Sequence, residues 1–166
     1  MAAYEQVKSG EKASEFYEVY SDGAASGNPG KGGYGVVIVN DGKSTEKSGG
    51  FALTTNNRME LMAAIIGIES TPNNSEVVVT SDSKYVVDSI NSKWVEKWRD
   101  NDWKNSKGTV KNIDLWERML VAISIRQVSF KWVKGHAGHV ENERAGQLAV
   151  EASQKSNLPA DEGYQG

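Results

Sequence analysis

The first third of the chain alternates hydrophobic and polar residues in short runs that are separated by glycine-rich turns. Alternation with a period of two is typical of strands with one buried face. Three strands are predicted, at Glu15–Ser21, Tyr34–Val39 and Ser44–Ala52. Because their connections are short, with Asn40–Gly42 as a tight turn, we expect these strands to pair antiparallel. Asp22 would then lie at the exit of the first strand.

The spacing of hydrophobic residues becomes helical from Asn57 onwards. Apolar residues recur there at steps of three and four, which predicts a helix with one buried face. The stripe consists of Met59, Met62, Ala63 and Ile66. Glu60 lies off this stripe, near the start of the predicted helix.

A continuous apolar run at Glu76–Thr80 predicts a central strand that is covered on both faces. Asp82 follows it directly, so a second acid would lie at a strand exit. Ser83 can cap a helix that runs through Ile90. After a stretch rich in tryptophan and lysine, the remaining elements are a helix at Asn112–Ile125, a strand at Val128–Val133 and a helix at Asn142–Lys155. This order predicts an α/β fold in which helices flank a five-stranded mixed sheet.

The length of 166 residues is that of one domain. We expect this domain to span residues 15–166 and to follow a flexible N-terminal leader, residues 1–14. With 38% hydrophobic residues and no apolar run near the roughly 18 residues of a membrane span, we expect no membrane association. The leader lacks the apolar centre of a secretory signal.

Two further features of the composition narrow the function. The chain has no cysteine, which excludes disulfides, thiolate metal sites and cysteine nucleophiles, and favours a cytoplasmic location. Its net charge of −3 argues against a protein that coats nucleic acid through bulk electrostatics. Any nucleic-acid site must therefore be confined to one part of the protein surface.

Ordered motifs along the chain give a specific resemblance. They are Asp22–Gly35, Thr55–Leu61, Thr80–Ser83, Lys111–Trp116 and Trp132–Arg144. Together they resemble the pattern of the bacterial type 1 ribonuclease H family from about Phe16 to the end of the chain. The resemblance implies a ribonuclease H-like fold and an enzyme that cuts the RNA strand of an RNA/DNA hybrid.

The resemblance also implies a metal site. Asp22, Glu60 and Asp82 match the family's first three metal ligands, although each acid taken alone would more often be solvated or cap a helix. Carboxylates suit Mg²⁺, with Mn²⁺ as a substitute. Two ions about 4 Å apart can stabilise the attacking water and the leaving oxygen at phosphorus. We therefore expect two Mg²⁺ ions at this site.

Gly146 departs from the family's pattern, because it stands where the family has a fourth metal-binding aspartate. Glycine within a helix costs about 1 kcal/mol relative to alanine, so helix stability does not explain it. Either another part of the structure approaches so closely that glycine is favoured, or the site has lost a metal ligand and been inactivated. We expect reduced activity. Glu143, three residues earlier, could substitute for the missing acid, but a solvated helix residue is the favoured interpretation.

Further roles follow from the same resemblance. His136 matches a residue that carries protons or helps the product leave, a task that suits histidine near neutral pH. The residues that match substrate contacts are Asn28, Thr55, Asn56, Asn57, Trp94, Trp98 and Lys104. The asparagines would read the minor groove and its 2′-hydroxyls, and Thr55 would contact a DNA phosphate. Trp94 and Trp98 lie at helical spacing, so both could instead belong to the core. Lys84 stands where the family often has a glutamine that contacts RNA.

Three functional hypotheses remain open from the sequence. The first is a metal-dependent endoribonuclease that acts on RNA/DNA hybrids as a monomer, with catalysis weakened by Gly146. The second is a module that binds hybrids without cutting them. The third is an inactivated variant of an enzyme, for which Gly146→Asp should restore activity. The cluster of acids favours the first, and Gly146 favours the second.

Overall fold

The structure, a computed structural model, describes residues 15–135 and 139–166. Its strands are Phe16–Gly27 (β1), Gly30–Asn40 (β2), Lys43–Thr54 (β3), Glu76–Ser81 (β4), Lys104–Asn105 (β5), Gly108–Thr109 (β6) and Gln127–Trp132 (β7). Its helices are Asn56–Glu69 (α1), Lys84–Asn91 (α2), Trp94–Asp100 (α3), Ile113–Ser124 (α4) and Val140–Ser153 (α5). Within the described residues, every helix is too short or too polar to reach across a lipid bilayer.

Five strands form one mixed sheet in the order β3-β2-β1-β4-β7. As predicted, β1, β2 and β3 pair antiparallel, whereas β4 runs parallel to both β1 and β7. The turn between β2 and β3 contains Asp41 and Gly42, both with positive φ, as a two-residue hairpin loop requires. The separate pair β5 and β6 forms a short hairpin.

Helices cover both faces of the sheet, and alternate residues of β2 show which helix lies on each face. Val36 and Ile38 belong to the large core that includes α1, α2 and α4. Val37 packs against Ala145 and Leu148 of α5 on the opposite face. The alternation follows from the two-residue period of a strand. The sheet is therefore the middle layer of three.

Two glycines of β2 bring α5 close to the sheet. A Cβ atom at Gly33 would overlap the carbonyl oxygen of Ala149, and one at Gly35 would overlap that of Ala145. Real Cβ atoms do not approach a backbone oxygen so closely, so only glycine leaves room for the helix at this distance. The sequence of β2 thus fixes the position of α5.

The structure corrects two expectations drawn from the hydrophobic pattern. β1 continues to Gly27, so Asp22 lies within the strand rather than at its exit, opposite Gly35 of β2. α1 is buried on nearly all sides rather than along one stripe, since α4 and the sheet both pack against it. Glu60 is therefore buried, while Ile66 is only half-buried.

The stretch rich in tryptophan and lysine has more structure than its sequence indicated. It contains α3 and the β5–β6 hairpin between α2 and α4. Val95 is fully buried and attaches α3 to the core. We call α3 and the β5–β6 hairpin, residues 94–109, the protrusion. The basic residues Lys97, Lys104 and Lys107 remain exposed on it.

Candidate active site

Three acids from separate elements converge at one edge of the sheet. The parallel pairing of β1 and β4 ends at Tyr20 and Thr80, and Asp22 and Asp82 lie two residues beyond these partners. Neighbouring parallel strands run in the same direction, so equal offsets from a paired position bring these two acids together. Glu60 reaches them from the beginning of α1. One carboxylate oxygen from each acid lies within 4.8 Å of the other two.

Gly23 allows α1 to lie directly on β1 at this point. A Cβ atom at residue 23 would overlap the backbone nitrogen of Glu60 and the carbonyl carbon of Met59. The N–H of Gly23 donates to Asp22 Oδ1 at 2.9 Å and to Glu60 Oε1 at 3.1 Å. One backbone donor therefore orients two of the three carboxylates.

The surroundings of the acids favour a cation. Asp22 and Glu60 are only 8% and 6% exposed. Burial raises the pKa of Glu60 well above its ordinary value, and the charges of Asp22 and Asp82 raise it further, against a smaller opposing effect of the Gly23 hydrogen bond. A divalent ion would relieve this repulsion, and hard oxygen ligands suit Mg²⁺.

Asp82 is held by the elements on either side of it. Ser83 caps α2, as predicted, because its hydroxyl oxygen accepts a hydrogen bond from the N–H of Val86 at 3.2 Å. The indole N–H of Trp132, at the end of β7, donates to the carbonyl oxygen of Asp82 at 3.1 Å. The ammonium group of Lys84 lies 5.1 Å from the centre of the same indole ring. Lys84 therefore packs against the same side chain that donates to Asp82.

The acids line an open cleft of about 720 Å³ whose other wall is α5. The residues of α5 that face the cleft are Glu143, Gly146, Gln147, Val150 and Glu151. Gly146 is buried, while Glu143 and Gln147 are exposed. Residue 146 therefore borders the cleft that contains the three acids. The sequence placed Glu143 and Gln147 near this position but did not single out Glu151, which continues their row at a step of four residues.

Residues predicted to contact the nucleic acid lie beside the acids. Asn56 lines the same cleft, whereas Asn28, Thr55 and Asn57 line a second cavity of about 890 Å³. The side-chain oxygen of Asn28 accepts a hydrogen bond from the N–H of Asn56 at 3.1 Å. Thr55 caps α1 by accepting from the N–H of Arg58 at 3.2 Å. The loop between β1 and β2 is thus tied to the start of α1.

The other predicted contacts lie on the protrusion and do not line these two cavities. Trp98 is half-buried, with its ring centre 6.2 Å from that of buried Trp116, so part of this side chain belongs to the core. Trp94 is 44% exposed, and its ring centre lies 6.5 Å from that of Trp98. Lys104 is exposed at the start of β5. His136, predicted as a proton carrier, lies outside the described residues.

Arg58 and Asp161 were not identified from the sequence, although they stabilise the start of α1. Asp161 lies in the segment after α5 and accepts hydrogen bonds from Arg58 at 2.7 and 3.1 Å. The available signal was an arginine among apolar residues in a predicted core helix. Such a residue requires a partner, but the sequence does not indicate which of the many acids it is.

Comparison with known proteins gives the family of the chain. The family model of RNase H matches residues 14–154, which is most of the chain. The chain belongs to the ribonuclease H family. A ribonuclease H of Rippkaea orientalis is 55% identical over 148 residues, covering 89% of this chain and 91% of the relative. This similarity covers most of the chain, and it supports the assignment to the bacterial type 1 ribonucleases H.

Solved structures of the ribonuclease H family share the fold. LC9-RNase H1, a type 1 RNase H with the type 2 active-site motif, has a TM-score of 0.74 and 34% identity, covering 85% of this chain and 73% of that one. LC11-RNase H1 in complex with an RNA/DNA hybrid has a TM-score of 0.63 and 25% identity, covering 82% and 95% of the two chains. The mixed sheet and its flanking helices are therefore those of a ribonuclease H.

Proposed function

We propose that this protein hydrolyses the RNA strand of RNA/DNA hybrids by a divalent-metal mechanism, at a rate reduced by Gly146. The observation that carries the proposal is the cluster of Asp22, Glu60 and Asp82, with oxygens within 4.8 Å of one another, in a chain of the ribonuclease H family. All three acids come from one chain, so we expect a monomer to be active. We place the activity in the cytoplasm.

Asp22, Glu60 and Asp82 fit a divalent cation because they offer hard oxygen donors at one point, partly enclosed by the cleft. We propose that they hold two Mg²⁺ ions, which Mn²⁺ can replace. When bound, the ions would supply the charge stabilisation that an in-line displacement at phosphorus requires. The backbone N–H of Gly23 keeps two of the carboxylates oriented towards the cleft.

Recognition of the hybrid is proposed for the surface beside the acids. Asn28, Asn56 and Asn57 would contact the minor groove, where amide groups can read 2′-hydroxyls. Thr55 would contact a DNA phosphate, and Trp94, Trp98 and Lys104 would contact the DNA strand on the protrusion. The hybrid-bound structure of LC11-RNase H1 supports a hybrid as the substrate.

Two residues determine how far catalysis proceeds in this proposal. His136 would carry a proton near the scissile phosphate. Gly146 lines the cleft without a carboxylate, so the site holds one negative charge fewer than a four-acid site. Weaker attraction for the second cation should follow, together with a lower rate of cleavage.

The test is cleavage of a labelled RNA/DNA hybrid in Mg²⁺ and separately in Mn²⁺, with single-stranded RNA and duplex RNA as controls. We expect cutting of the hybrid alone, dependent on metal, and faster in the Gly146→Asp variant. Asp22→Asn, which removes a proposed ligand, is the negative control. If the unaltered protein and the Gly146→Asp variant both bind the hybrid but neither cuts it, the result would support a module that only binds hybrids and would refute the proposed enzyme.

A further inference from the structure

We propose that Asp161, in the segment after α5, is a positioning residue for binding of the hybrid, because it fixes both ends of the tripeptide Thr55–Asn57. The inference rests on the proposed function, since it assigns a role to a residue that does not itself line the cleft or the second cavity. The segment returns to the sheet after α5. There, the N–H of Ala52 donates to the carbonyl oxygen of Pro159 at 2.8 Å.

Asp161 forms hydrogen bonds with the residues immediately before and after this tripeptide. Thr54, the last residue of β3, donates its hydroxyl to Asp161 Oδ2 at 2.6 Å. Arg58, in the first turn of α1, donates from Nε to the same oxygen at 2.7 Å and from Nη2 to Oδ1 at 3.1 Å. The three residues between Thr54 and Arg58 are those proposed to contact the hybrid.

The contacts of Asp161 are buried and therefore well defined. The side chains of Arg58 and Asp161 are only 2% and 4% exposed, and Thr54 is fully buried. Burial alone would lower the pKa of Arg58, but hydrogen bonds with Asp114 and Asp161 outweigh this effect and raise it. A buried charge with several charge-assisted hydrogen bonds has one preferred geometry.

Charge balance alone does not account for Asp161. Arg58 also donates to both carboxylate oxygens of Asp114, at 2.9 and 2.7 Å, so one acid already neutralises it. Asp161 adds a second negative charge to this cluster. Its hydrogen bonds also connect Arg58 to Thr54, so they link the two ends of the tripeptide.

The same segment also lines the cavity that Thr55 and Asn57 of the tripeptide line. Gly163 and Tyr164 line the second cavity together with Asn28, Thr55 and Asn57. A Cβ atom at Gly163 would overlap the carboxylate of Asp114. The segment therefore lies directly against the ion cluster and adjoins the proposed binding surface.

The test compares variants that alter opposite ends of α1. Asp161→Asn removes the charge beside Thr54 and Arg58. Glu69→Gln is the matched control, because Glu69 forms a two-bond ion pair with Arg118, at 2.8 and 2.7 Å, at the other end of the helix. The control lies about 16 Å along the helix from Arg58. Thr54→Val removes only the hydroxyl contact and keeps the shape of the side chain, so it covers the case in which Asp161→Asn does not fold.

The measurement is the Kd of a labelled RNA/DNA hybrid and of duplex DNA, with Ca²⁺ in place of Mg²⁺, at a temperature where circular dichroism shows every protein folded. We expect Asp161→Asn to weaken binding of the hybrid about tenfold, which corresponds to about 1.4 kcal/mol. Thr54→Val should weaken it about threefold, Glu69→Gln less than twofold, and Asp161→Glu should restore part of the loss.

Two results would overturn the inference, and they are distinguishable. If the unaltered protein prefers the hybrid but Asp161→Asn and Thr54→Val bind it as tightly as the unaltered protein does, Asp161 is not a positioning residue and the proposed function stands. If the unaltered protein does not prefer the hybrid over duplex DNA, the proposed function fails and the inference fails with it. Faster hydrogen exchange at residues 55–57 in Asp161→Asn, but not in Glu69→Gln, would support the role.

Discussion

The carboxylates of Asp22, Glu60 and Asp82 repel one another when no cation lies between them, so removal of one charge should stabilise the metal-free protein. Glu60→Gln is the most informative change, because the amide oxygen of glutamine can still accept the hydrogen bond from the N–H of Gly23, which is 3.1 Å long in the structure. Two unit charges separated by 4.8 Å, the upper limit of the oxygen–oxygen distances in this cluster, repel by on the order of 3 kcal/mol at an effective dielectric constant of 20. We therefore expect a net gain of about 1–3 kcal/mol in the free energy of unfolding at pH 8 without metal.

The pH dependence of this gain has a definite sign. Burial, followed by the charges of Asp22 and Asp82, raises the pKa of Glu60 in the folded protein above its ordinary value of 4.5. The folded state therefore binds this proton more tightly than the unfolded state, and the carboxyl destabilises the fold increasingly as the pH rises from about 4.5 through the raised pKa. The gain from Glu60→Gln should be complete above the raised pKa and should disappear near pH 4.

Urea unfolding in EDTA, followed by circular dichroism at pH 8 and pH 4, measures this gain. Glu143→Gln, which removes an exposed carboxylate from the same cleft, is the control and should change the stability little. Added Mg²⁺ should stabilise the unaltered protein by RT ln(1 + [Mg²⁺]/Kd), and Glu60→Gln much less. Repulsion among the acids is ruled out as the dominant effect if Glu60→Gln is less stable than the unaltered protein in EDTA at pH 8, or if its gain is equal at both pH values.

The remaining predictions concern other parts of the same architecture. Gly146→Asp should lower the stability in EDTA by about 1–2 kcal/mol through added repulsion. The same change should lower the Kd for Mg²⁺, measured by calorimetry, at least tenfold. An unchanged Kd would contradict this expectation. Gly35→Ala should lower the free energy of unfolding, measured in urea, by about 3 kcal/mol, because its methyl group would overlap the carbonyl oxygen of Ala145. A loss below about 1 kcal/mol would show that α5 can move away freely. Ser83→Ala should lower the free energy of unfolding in the same assay by about 1 kcal/mol, because the hydrogen bond from the N–H of Val86 to the Ser83 hydroxyl is lost. An unchanged free energy would show that water replaces this hydrogen bond.

The strands and helices that the sequence predicted well are those with a local signal. The apolar run of β4 and the cap at Ser83 were both confirmed, because each depends on residues within a few positions of one another. The second half of β1 was missed because Gly23–Gly27 has the composition of a turn. It forms a strand because β2 pairs with it as far as Gly27, and this pairing is not visible in the composition of residues 23–27 alone.

The candidate site was predicted to the extent that its residues occur in recognisable motifs. Asp22, Glu60 and Asp82 do, and the structure brings them together. Asp161 does not, because its partner Arg58 is 103 residues away and nothing in either local sequence indicates the pairing. The burial of Glu60 was also missed, since a single apolar stripe predicted that this acid would be outside the core.

The close contact between β2 and α5 has a consequence for position 146. Gly33 and Gly35 hold α5 against the sheet through the backbone of the helix, and Gly146 has no side chain on which the packing could depend. The scaffold that would present a fourth acid therefore persists whether or not the acid is present. Residue 146 can therefore be exchanged while the backbone around it keeps its place.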